Sequence, residues 1–187
     1  MIYRILANPR KYLMLSFGSD YMLKSVLAGK SISNDPSPVA YSEDWEPTEV
    51  KFVDGYPENK EEKKQCDILY DMGHLFLSDK AAEILKPYLT DGELLAVTYA
   101  DNNGYIFNPL KLIGANAKLS TVDKNGDIAS LVFDEEAAIF KTEYDGYHGV
   151  FCNEEFKGAV ESAGLAGAYF EVDLSSIFVT EIQSAAH

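Results

Sequence analysis

The chain has 187 residues, 47% of them apolar, and a formal net charge of −14. A chain of this length buries a full hydrophobic core without disulfide or metal staples, and this apolar content excludes wholesale disorder. Its acidity disfavours nucleic acid and anionic membranes as partners and favours basic ones.

Residues 2–6 and 12–17 read as short strands, with Asn8-Pro9 as the break between them. The run Asn8-Pro9-Arg10-Lys11 interrupts the N-terminal apolar stretch before a signal-peptide core can form. No apolar run approaches the ~20 residues needed to span a bilayer, so a cytoplasmic protein is expected. Residues 19–29 predict a short helix ending at Gly29. Ser31 to Pro47 reads as a surface loop and as the only plausible seam in a chain otherwise taken as one domain over 1–187. Thr48 to Val53 alternates as a strand, and the charged stretch 54–65 is expected to be exposed.

The next signal is Ser78, a helix cap with Asp79 in the first turn. Ala81, Ile84, Leu85 and Tyr88 follow at i, i+3, i+4, i+7 and predict one apolar stripe, with Pro87 ending the helix near Lys86. Asp91-Gly92 turns into a strand over Glu93–Tyr99. Asp101-Asn102-Asn103-Gly104 is expected to turn the chain back through Tyr105-Ile106-Phe107. Asn125-Gly126 predicts a type I′ hairpin between Leu119–Val122 and Ile128–Phe133, and Ala138–Phe140 a further strand. The clearest helix starts at Asn153, with Glu154 and Glu155 in its first turn and Phe156, Ala159, Val160 and Ala163 on one face. Gly164 stops it and Leu165 packs back, as in a Schellman ending. Tyr169–Val172 completes the set. Hairpins with two or three short helices make an α+β fold with an antiparallel-rich sheet.

Few residue patterns point to chemistry. Cys66 with His74, and His148 with Cys152, form a nominal Cys₂His₂ set that lacks the close spacing of a zinc knuckle, so no metal is expected. The third histidine is His187. The two cysteines allow one bridge, although two buried thiols suit a reducing compartment better. His148 and Cys152 have no visible orienting group or oxyanion hole. The stretch Asp123-Lys124-Asn125-Gly126-Asp127 lacks the glycine that a calcium loop requires at its sixth position, where Ile128 stands. No phosphate-binding glycine loop and no nucleophile elbow is present. No catalytic residue and no cofactor is therefore assigned. A small enzyme using a carboxylate pair or His148, or a self-associating structural module, remains the alternative.

Recognition chemistry is better represented. Net charge is +3 over residues 1–42, −6 over 43–62, −1 over 63–119 and −10 over 120–187. Aromatic residues are interleaved with acids at Glu43-Asp44-Trp45-Glu46 and at Glu143-Tyr144-Asp145-Gly146-Tyr147, with Asp134, Glu135 and Glu136 nearby in sequence. Such clusters suit an aromatic-anchored interface with an acidic rim. The partner-binding expectation therefore covers Glu43, Asp44, Trp45, Glu46, Asp134, Glu135, Glu136, Glu143, Tyr144, Asp145 and Tyr147.

Over residues 45–172 the chain resembles a bacterial immunity-protein family of polymorphic toxin systems. The resemblance is carried by Leu75-Phe76-Leu77-Ser78-Asp79-Lys80-Ala81-Ala82-Glu83-Ile84-Leu85, then Gly92-Glu93-Leu94-Leu95-Ala96-Val97. It continues through Ile139-Phe140-Lys141 and Glu155-Phe156-Lys157 to Ala163-Gly164-Leu165-Ala166-Gly167. Residues 1–44 match no part of that pattern. The resemblance implies a protein that neutralises a cognate toxin domain, expected to be basic, made by the same cell. It brings no catalytic residue with it.

Overall fold

A computed structural model describes residues 1–58 and 62–179. The terminal His187 and positions 59–61 of the charged stretch lie outside the described residues. The fold is α+β, with two main sheets and a small hairpin.

The first sheet has four antiparallel strands, in the order Ile139–Phe140 (β10), Val150–Asn153 (β11), Ile2–Leu6 (β1), Tyr169–Glu171 (β12). The second has six, in the order Met14–Phe17 (β2), Thr48–Val53 (β3), Gly92–Tyr99 (β6), Asn102–Pro109 (β7), His74–Ser78 (β5), Ile68–Asp71 (β4). All its pairs are antiparallel except β3 with β6, where Thr48 pairs with Val97 and Glu49 with Thr98. Thr121–Val122 (β8) and Ile128–Ser130 (β9) form the hairpin. Ser19–Ala28 (α1), Asp79–Leu85 (α2) and Glu154–Ser162 (α3) are the helices.

Strand alternation sorts the buried side chains into layers. Tyr3 and Ile5 of β1, Val150 and Cys152 of β11, and Leu75 and Leu77 of β5 meet Ala81, Leu85, Phe156 and Val160 of α2 and α3 in the main core. The opposite face of the six-stranded sheet carries Phe76, Leu95, Val97 and Ile106, which pack under Ile32 and Tyr41. A third, smaller cluster joins Phe140 and Phe151 to Ile113 and Leu131. Cys66 and Cys152 are both buried free thiols in different clusters. Burial pushes the Cys66 thiol up to about 12 and the Cys152 thiol higher still.

The capped helices form as expected. The Ser78 hydroxyl accepts from Ala81 N–H and the Asn153 side chain from Phe156 N–H. Gly164 (φ +62°) donates to the Glu161 carbonyl and Leu165 to that of Val160, the two bonds of a Schellman ending. On α2 the inward residues are Ala81, Ala82 and Leu85, whereas Ile84 is exposed, so the buried stripe is turned toward Ala82 relative to its predicted position.

The two predicted hairpin turns are corrected. β6 and β7 turn at Ala100-Asp101, where both φ values are positive (+42° and +66°), and Asn102 to Gly104 lie inside β7. Gly104 sits there because a Cβ would approach Phe76 and Tyr99 within 3 Å. In the β8–β9 hairpin only Gly126 has positive φ, and Asp123 accepts from the N–H groups of Asn125 and Asp127. This is a type I turn closed by a left-handed glycine rather than type I′.

Candidate functional site

Residues 30–47 form a strap without regular secondary structure over the outer face of the six-stranded sheet. Side chains from distant strands hold its backbone. The Glu93 carboxylate accepts from Tyr41 N–H at 2.7 Å and from Ser42 N–H at 2.9 Å. Asn108 donates to the Val39 carbonyl at 2.9 Å and to Glu93 at 2.8 Å. The Lys141 ammonium donates to the Pro36 carbonyl at 2.9 Å and to the Asn108 side-chain oxygen at 3.2 Å. Lys141 and Asn108 are completely buried. Burial pulls Lys141 down to about 7, against the fields of Asp35, Asp145 and Glu93. Burial and the Lys141 charge also pull His74 down to about 3. Asp71 lines a water-sized cavity with His74 and is pushed up by burial to about 6.

At the end of the strap, Trp45 lies half-buried, donates its indole N–H to the Ala96 carbonyl at 2.9 Å, and packs 5.7 Å from the Tyr21 ring of α1. Glu43, Asp44 and Glu46 surround it and are exposed. Asp44 stands 3.9 Å from Lys30 and Glu46 3.0 Å from Lys24. A groove of about 490 Å³ separates α1 from residues 41–48. Its walls are Tyr21, Tyr41 and Trp45, and its rim carries Asp20, Asp44 and Glu46. Tyr41 is buried with an unpartnered hydroxyl, which burial pushes up to about 12.

α1 beside this groove has the reverse of the usual polarity. Its only buried residue is Ser25, while Leu23, Val26 and Leu27 are 63%, 69% and 79% exposed. These three fall at i, i+3, i+4 and form one apolar ridge facing solvent. The helix is nonetheless well anchored. Tyr21 packs on Phe17 and accepts from Ile32 N–H, and Gly29 and Lys30 close its C-terminus with Schellman bonds to Val26 and Ser25.

The other predicted partner-binding residues lie elsewhere. Asp134 accepts from Asn116, and Glu136 pairs with the N-terminal amine at 3.4 Å. These residues belong to the layer around Phe140 and Phe151, apart from residues 43–46. Glu143 and Tyr144 are exposed on a single 3₁₀ turn, Glu143–Asp145, and Tyr147 follows with φ +67°. Asp145 faces inward, contrary to its expected place on a rim. Its side chain is 4% exposed, 3.4 Å from the equally buried Arg4, and it accepts from Gly149 N–H. The strand pattern hides this pairing, since Arg4 and Asp145 are 141 residues apart.

His148 is exposed just after that turn and does not line the groove. Cys152 points into the main core, away from any dyad with His148. Among the described residues, no group of three or more His, Cys, Asp or Glu side chains is placed to hold a metal ion, and no helix is long and apolar enough to cross a membrane.

The sequence reading misses Leu23, Val26, Leu27 and Tyr41. The apolar spacing of Leu23, Val26 and Leu27 on 19–28 is visible, but spacing gives no direction, and an apolar stripe ordinarily faces the core; nothing local marks Tyr41. No family model and no curated protein matches the chain.

Proposed function

We propose that this chain is an immunity-type inhibitor that binds a cognate toxin domain and covers its active or binding cleft, docking through the ridge of α1 and the acidic segment 43–46. The observation that carries the reading is the solvent-facing ridge of Leu23, Val26 and Leu27 on a helix whose inner face is anchored by aromatic packing. Contiguous exposed apolar residues rimmed by polar ones mark interaction surfaces. The flanking carboxylates suit a basic partner and speed its encounter. The family resemblance over 45–172 supports the toxin as that partner.

The test is coexpression with the protein encoded beside this one. The wild-type chain is expected to copurify with it and to restore growth. The double variant Leu23→Arg/Leu27→Arg keeps helix propensity and is expected to lose both effects. Neutralisation retained by that variant would remove the ridge from the interface. A mass that doubles with concentration, and returns to that of the single chain in the variant, would instead assign the ridge to self-association.

A further inference from the structure

We propose that the groove between α1 and residues 41–48 is a receptor for an arginine side chain presented by the partner. This deepens the docking role of α1 and rests on it.

Four features of the groove converge. First, its walls are aromatic, formed by Tyr21, Tyr41 and Trp45, and such faces attract a guanidinium by cation–π contact and stacking. Second, its rim carries three carboxylates, Asp20, Asp44 and Glu46, against two lysines, Lys24 and Lys30; Lys24 holds Glu46 at 3.0 Å, which leaves the rim acidic by one charge. Third, the Tyr41 hydroxyl is buried with no hydrogen-bond partner, on a residue only 5% exposed that lines this groove. An unsatisfied buried hydroxyl is costly to keep, and a guanidinium N–H would satisfy it.

The fourth feature is an internal stand-in. Lys30 places its ammonium 4.8 Å from the Tyr41 ring centroid and 3.9 Å from Asp44. A cation already occupies this aromatic and acidic corner, at a distance from Asp44 longer than a close ion pair. An ammonium is a point charge, whereas a guanidinium offers a planar fork of five donors that meets a carboxylate in bidentate fashion while stacking on a ring. Arginine is therefore the better occupant. Lys30 acts as a weak competitor that keeps the corner charged-neutral until the partner arrives and swings outward when it does.

Trp45 is the only tryptophan in the chain, so its fluorescence reports on the groove directly. The probe is hexa-arginine, compared with hexacitrulline, its neutral isostere, and with hexalysine. Hexa-arginine is expected to shift Trp45 emission to saturation at least tenfold more tightly than hexacitrulline and several-fold more tightly than hexalysine. Lys30→Ala should tighten hexa-arginine binding several-fold and Tyr41→Phe should weaken it several-fold. Lys51→Ala removes an equal charge on β3 outside the groove and should reproduce little of the Lys30→Ala gain. A silent Trp45, or wild-type affinity in both Lys30→Ala and Tyr41→Phe, would overturn the proposal. If Leu23→Arg/Leu27→Arg loses the toxin while Trp45 stays silent, the arginine receptor fails and the docking face stands. If that variant keeps the toxin, the docking face fails regardless of what the peptides do.

Discussion

Two buried polar side chains cost this molecule stability near neutral pH for different reasons. The Tyr41 hydroxyl has lost water and gained no partner, so removing it relieves a desolvation cost. Tyr41→Phe is expected to raise the unfolding free energy by about 1 kcal/mol, read from the urea midpoint at unchanged slope. Stability and binding should thus move in opposite directions at one atom, as expected where a site is kept unsatisfied for its ligand. Lys141 is satisfied by two acceptors, yet burial holds it at about 7 against an ordinary 10.5. Between those values the unfolded chain binds more protons than the folded one, so stability rises with pH. The gain should begin near pH 7, reach on the order of a few kcal/mol, and end near pH 9, where the buried Cys66 and Cys152 thiols, and then Tyr3 and Tyr41, all raised in the fold, reverse the slope. Denaturation at half-unit pH steps checks this, and Lys141→Met should abolish the rise from pH 7. His74, lowered to about 3, adds stability as pH climbs toward 6.5, while Asp71, raised to about 6, opposes it above 3.8. Both effects are complete below the Lys141 window.

At the level of elements, local signals and long-range placement separate cleanly. α3 was legible because its cap, its first-turn acids and its left-handed glycine are all local in sequence. Asn153→Ala should cost about 1 kcal/mol through the lost cap. Gly164→Ala should cost about 1 kcal/mol through backbone strain alone, because a Cβ there meets nothing within 4 Å. Thermal melts of the two variants separate these terms. β4 and β5 escaped the sequence reading. β5 is buried along its whole length, so it shows no alternation, and it turns from β4 through Met72-Gly73, with Met72 at φ +43°. A buried central strand surrounded on both faces carries no period-2 signal. α1 was legible as a helix but not as a surface. Its direction is set by Tyr21, whose ring meets Phe17 and Trp45, residues separated from it by four and twenty-four positions.

Across the whole molecule, the charge of −14 acts on rate more than on the strength of any contact. The acids at 134–136 lie in a different layer from the α1 ridge. Reversing Asp134, Glu135 and Glu136 together should therefore slow association several-fold at low salt and leave the dissociation rate unchanged. By contrast, reversing Asp44 and Glu46 should speed dissociation as well. Stopped-flow kinetics over a salt series distinguishes the two, with the first effect vanishing by about 0.5 M salt, where the screening length falls below 5 Å. Grouping both clusters into one surface was reasonable from sequence, since both interleave acids with aromatics. What separated them was tertiary placement, with Asn116 and the N-terminal amine claiming one cluster and α1 the other.

The strap is encoded early and fastened late. Its anchors stand at positions 93, 108 and 141, so a growing chain that already carries α1 can fasten Tyr41 and Ser42 only once Glu93 has emerged, Val39 only once Asn108 has, and Pro36 only once Lys141 has. Nascent fragments ending before residue 93 should expose the ridge without a finished groove, and competence to engage a partner should arrive as Glu93 and Ala96 become available to hold Tyr41 and Trp45.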